Sequence, residues 1–207
     1  MELTFNQVEA VFTRRFDMPE SKAVAFRGRL QHLQRLNFPT GVNTGRGKKA
    51  SYGWLQIVQL MVALDLIDLG MTPDVAVRSV RQGTDKLIGA ICEVISQFES
   101  ADNLTTAMRK ARCPFGMTRK ALASAFALTF PQADDEPALI LILDGPAFTE
   151  QLNKDPAVEP AAAFINLGSR MMLIAQLVGM VAAVEPRALA TDLIQWSSHW
   201  LGQDSQS

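Results

Sequence analysis

Cysteine is nearly absent from this chain. The 207 residues hold two, Cys92 and Cys113, too few for a disulfide framework and not at metal-ligand spacing. They read as reduced thiols of a cytosolic protein. Histidine is as scarce. His32 and His199 are the pair, neither has Cys, Asp or Glu at ligand spacing, and no metal site is expected. No G-x-S-x-G, P-loop or dinucleotide fingerprint occurs. The segment Gly45-Arg46-Gly47-Lys48-Lys49 lacks the spacing and the preceding apolar strand of a phosphate loop. Long apolar runs are missing as well. The longest, 171–184, is 14 residues and contains Gln176, short of the ~20 that a membrane span needs. It reads as a buried helix. The first residues, MELTFNQVEA, carry an early acid and no apolar core, so no signal peptide is expected. These absences point away from an enzyme, a cofactor protein and a membrane protein.

What is present is a charge asymmetry. The net charge is -1, yet residues 1–83 carry 11 Lys/Arg against 7 Asp/Glu, and residues 84–207 carry 9 against 14. The front is therefore +4 and the back -5. A basic front and an acidic back suggest two tasks, with a polyanion contact in front. The bases gather in 19–54, PESKAVAFRGRLQHLQRLNFPTGVNTGRGKKASYGW, where Glu20 is the one acid. DNA is the first candidate for such a unit.

The local pattern supports a helix-turn-helix there. Residues 4–15 predict a first helix, with Thr4 as N-cap and Val8, Val11 and Phe12 on one face. Asp17 or Met18 caps the next, Pro19 suits its first turn and Glu20 complements its dipole. That second helix runs to about Leu36, with Val24, Leu30, Leu33 and Leu36 as its apolar edge and Phe26 nearby. Gly28 inside it marks close packing, approach to a phosphate, or a kink. Pro39 ends it. Residues 40–50 hold three glycines and three bases between Phe38 and the aromatics Tyr52 and Trp54, which reads as the wing of a winged helix or as a solvated loop. A third helix is expected over 53–69, ended by Gly70. A fourth starts at Thr72-Pro73-Asp74 and closes at Gly83.

Residues 1–83 resemble the DNA-binding domain of the MerR-like winged-helix family. The segments that carry the resemblance are Arg35-Leu36-Asn37-Phe38-Pro39 between recognition helix and wing, Gly45-Arg46-Gly47 through Tyr52 in the wing, and Leu69-Gly70-Met71-Thr72 at the helix corner. His32 and Leu33 stand where the family usually carries paired aromatics. The resemblance implies dimeric DNA binding and transcriptional control.

The expected fold is mainly α, an N-terminal MerR-like winged helix-turn-helix over 1–83 followed by a helical or α+β module over 84–207 for dimerisation or effector sensing. In that module Thr84 caps a helix 85–99, a short helix covers 103–111, and 121–130 is helix or strand. Strands are expected at 138–143 and 163–167, and a last helix at 187–201 with Leu189, Leu193, Trp196 and Trp200 on one face. Asp144, after a buried apolar run, is the position where α/β logic would put a catalytic carboxylate. A turn residue before Gly145-Pro146 is the simpler reading.

The function expected is a cytoplasmic, nucleoid-associated, sequence-specific regulator that binds double-stranded DNA as a homodimer. Arg27, Arg29, Gln31 and His32 are candidates for base edges, Lys22 and Arg35 for phosphates, and Arg46, Lys48 and Lys49 for the flanking backbone or minor groove. The competing expectation is a protein-binding adaptor or anti-repressor that offers the winged helix to an acidic partner. A third is an enzyme with its site in 120–200.

Overall fold

The computed structural model describes residues 1–42, 49–110, 126–130, 139–143 and 163–204. Those residues are mainly helical. The order is α1 (Phe5–Arg15), α2 (Glu20–Arg35), α3 (Trp54–Asp68), α4 (Pro73–Ser96), α5 (Ala101–Lys110), β1 (Phe126–Phe130), β2 (Leu139–Leu143), β3 (Ala163–Asn166), α6 (Leu167–Ala182) and α7 (Pro186–Asp204).

The first two helices begin as their sequences dictate. Thr4 accepts from the backbone of Gln7, and the Gln7 side chain accepts in return from the backbone of Thr4. That reciprocal cap satisfies two donors a helix start leaves open. Met18 and Asp17 do not cap α2. Pro19 holds the cap position in extended backbone, without a side-chain hydrogen bond.

Gly70, at φ +102, ends α3 in the left-handed region that a side chain would strain. Thr72 then caps α4 through Val75 N–H, with Pro73 at its first position. Contrary to expectation, Gly83 does not close that helix and Thr84 does not open another. The α4 helix runs unbroken to Ser96, and the Thr84 hydroxyl donates to the Val80 carbonyl one turn back. Gly83 is buried there. The backbone therefore has no break at the 83/84 boundary read from charge.

The core is built on α3. Every residue from Ile57 to Leu66 is buried, so this helix is enclosed on all sides rather than amphipathic. It packs against α4 and α6, while α1 lies along α6 and α4 along α7. One buried cluster runs from Leu3 through Leu193 and draws on both halves of the chain. Ser197 of α7 donates to the Cys92 carbonyl of α4 at 3.1 Å, inside that contact.

The strands expected in the second half form a three-stranded antiparallel sheet, ordered β2-β1-β3. Phe126 of β1 stands opposite Leu143 and Asn166. The open choice at 121–130 resolves as strand for Phe126–Phe130. Asn166 ends β3 and caps α6 through the backbone of Ser169. That α6 helix begins at Leu167, four residues before the apolar run, and stops at Ala183 (φ 54) ahead of Pro186. Asp144 and Cys113 lie outside the described residues. No helix among the described residues is long and apolar enough to cross a membrane.

Candidate nucleic-acid interface

The two ends of the 40–52 segment are tied to the fold by hydrogen bonds. Leu3 and Tyr52 exchange both backbone hydrogen bonds, at 2.9 and 3.0 Å, so the start of the chain pairs with the end of the 40–52 loop. Gln56 ties the two ends of that loop together. Its Oε1 accepts from Gly53 N–H and its Nε2 donates to the Thr40 carbonyl, both at 3.0 Å. Gln59, 3% exposed, accepts from Thr40 N–H and donates to Thr84 Oγ1 on α4. The Tyr52 phenol, buried, accepts from Gln34 Nε2 of α2 at 2.6 Å. Burial pushes that phenol's pKa above its ordinary value. The loop thus leaves and re-enters the fold through a cross-braced base beside α2.

The α2 helix turns Phe26, Leu30 and Leu33 into the core. Val24 does not join them. It is 82% exposed, which corrects the expected apolar edge. At 100° per residue Val24 lies on the far side of the helix from Phe26 and Leu33. Gln31 and Arg35 share that outward side and are exposed; Lys22 is exposed as well, in the first turn, but lies about 160° round the helix from Val24, on the side of Phe26 and Leu33. His32 and Arg29 are half-buried at the edge. Arg27 sits on the opposite edge, against α1. It pairs with Glu9 at 3.0 Å and its guanidinium lies 5.5 Å from the centre of the Phe5 ring. The expected cluster therefore divides: Gln31 and Arg35 face outward, Lys22 is exposed at the helix start on the other side, and Arg27 is drawn toward α1. Lys49 is exposed at the returning end of the loop. Arg46 and Lys48 fall outside the described residues.

Three polar features that brace this unit escaped the sequence reading. Arg81 of α4 donates to the carbonyls of Leu36 and Asn37, at 2.7 and 3.0 Å, where α2 ends. Orphan carbonyls at a helix C-terminus attract such a cation. Asp192 of α7 accepts from the indole of Trp54 at 2.7 Å and from the Met1 amine at 2.9 Å. The third is a buried ion pair of Arg15 (α1) and Asp65 (α3), joined at 3.3 Å by Arg170 of α6. Arg15 and Asp65 are 6% and 5% exposed at their side chains. Burial raises the Asp65 carboxyl above its ordinary value and lowers Arg15; for both, burial outweighs the attraction between them. An aspartate next to the apolar run 60–64 of α3 was the signal for this pair, but no local spacing names its partners. No group of three or more metal-ligating side chains occurs among the described residues.

No family model, curated protein or solved structure matches this chain.

Proposed function

We propose that the chain is a DNA-binding transcriptional regulator of the MerR-like winged-helix type that acts as a homodimer on the nucleoid. The observation that carries this reading is the cross-braced loop base. The ends of a basic, Gly-rich segment, rooted by Leu3, Tyr52, Gln56 and Gln59, stand beside a helix whose outward side carries Gln31 and Arg35. Side chains of that helix then enter the major groove while the loop meets the flanking backbone. In this assignment Gln31 reads base edges, Arg35 and Lys49 hold phosphates, Lys22 and Arg29 are left off the contact face, and Arg27 orients α2 on α1.

Selection of bound duplexes from a random pool tests the assignment. Gln31→Ala relaxes the preference at one or two base pairs, a loss of about 1–3 kcal/mol of discrimination. Arg35→Ala weakens all sequences alike. An enriched sequence set that is the same with and without Gln31 removes α2 from the reading.

One feature favours a second reading. Val24, Ala25 and Gly28 make the middle of the exposed α2 face small and uncharged, which suits a protein-binding adaptor or anti-repressor. Absence of binding to random duplex at low salt, with an intact fold, selects that reading.

A further inference from the structure

A cavity of about 270 Å³ opens between α5, α6 and the start of α7, remote in sequence from the basic loop. Met108 of α5, Met180 of α6, Val184 of the turn, and Pro186 and Leu189 of α7 give it an apolar wall. The packing round it is tight. A Cβ on Gly179, in the same wall, would stand 3.1 Å from Leu189 Cδ2, and Met108 is 2% exposed. Protein interiors keep few voids larger than a water molecule, because atoms that line an empty space lose dispersion contacts. An apolar void offers water no partners and stays dry, and one of about 150 Å³ already admits benzene.

The polar groups of the wall are taken. The Thr105 hydroxyl donates to the Pro186 carbonyl at 3.4 Å. Gln176 Oε1 is covered by the protein. Arg109, the one charged residue of the wall among the described residues, acts on the Glu185 carboxylate. That carboxyl lies below its ordinary pKa, held there first by the N–H groups of Ala188 and Arg187, then by the charges of Arg187 and Arg109. No unopposed charge faces the cavity.

We propose that this cavity binds a small uncharged apolar molecule, one aromatic ring in size. The ring lies against Met108 and Met180, whose unbranched thioether side chains adapt to an aromatic face. Met180 is 43% exposed, so the entrance is on its side and the buried Met108 is the floor. The volume lies just under the ~300–1,000 Å³ of drug-sized pockets, so it accepts one ring rather than two. An anion of the same shape is refused, because it gives up its hydration and gains no free cation. Binding at this site does not depend on the chain being a DNA-binding protein.

The test uses the full chain with toluene as the probe and benzoate as the charged control. Titration followed through labelled methionine methyl groups is expected to give a Kd for toluene below about 1 mM, within reach of a ligand of this size. Benzoate binds at least about tenfold more weakly. The methyl groups also report the place in the wild type: Met108 and Met180 shift, and Met61, buried in α3, does not. Val184→Phe fills the cavity from the half-buried turn and weakens toluene at least about tenfold, in a chain that circular dichroism shows to be folded. The proposal is overturned by the absence of methyl shifts in toluene-saturated buffer, or by equal shifts at all methionines. Benzoate binding as tightly as toluene overturns it too, as does toluene binding that a folded Val184→Phe leaves unchanged.

Discussion

Replacing Asp65 with alanine isolates the buried charge that joins three helices. The carboxylate is held by Arg15 from α1 and by Arg170 from α6, but the two partners differ in what they lose. Arg170 is 44% exposed and returns to water at little cost. Arg15 is almost fully buried and its Nε already lacks a partner. Without Asp65 its charge is stranded, and removal of one member of a buried pair costs about 3–5 kcal/mol. For a chain of this length that lowers the melting temperature by about 6–20 °C. Replacing both members, Arg15→Met with Asp65→Leu, recovers most of the loss, since burial outweighs attraction for both groups. Urea unfolding of the wild type, the single and the double variant gives the three free energies. A single-variant loss under about 1 kcal/mol, or a double variant as unstable as the single, would refute the account of a stranded charge. The same carboxyl sets a pH dependence. Its folded pKa lies above its ordinary 3.8. The folded chain therefore keeps a proton that the unfolded chain releases. The stability this gives is complete below 3.8 and is lost as pH rises through the folded value. Asp65→Asn removes that slope from a stability–pH curve.

Two further perturbations probe the unit that presents the basic face. Arg81→Ala uncaps the carbonyls of Leu36 and Asn37, and a loss of about 1–2 kcal/mol in urea unfolding is expected because the site is exposed. No loss would mean that water caps α2 as well as the guanidinium does. Gln59→Leu strands the Thr40 N–H and frees the Thr84 hydroxyl, for about 1–3 kcal/mol. Faster amide exchange at Thr40 than at Tyr52 is the expected local signature, and equal exchange would show that the loop base does not depend on Gln59.

Helix type and position were readable wherever the chain announces them locally. Thr4, the Thr72-Pro73-Asp74 start and Gly70 mark their caps and stops through short-range backbone chemistry, and each does so in the fold. The strand expected at 138–143 is present as Leu139–Leu143. Gly83-Thr84 misled for a physical reason. Glycine and threonine favour helix ends in isolation, but here the long buried face from Val77 through Leu87 to Ile95 carries the helix across them. Val24 misled in the same way, since an apolar residue needs a neighbour to cover it, and among the described residues none covers that side of α2. The candidate site was legible as a list of cations and not as a surface. Whether Arg27 turns outward depends on Glu9 and Phe5 from another helix, and composition carries no trace of that contact. Arg81, Asp192 and the Arg15–Asp65 pair are long-range for the same reason.

The claim that a basic helix and a basic loop grip one duplex is tested most directly by salt-dependent affinity. Fluorescence anisotropy of a labelled random duplex would compare the wild type with the variant Arg46→Ala, Lys48→Ala, Lys49→Ala. Each phosphate contact adds about 0.9 to the slope of log K against log salt. The expected result is wild-type binding that falls steeply with salt, and a variant that binds every duplex more weakly with a slope shallower by about 2–3. An identical slope in the two proteins, or no binding by the wild type at low salt, would contradict it.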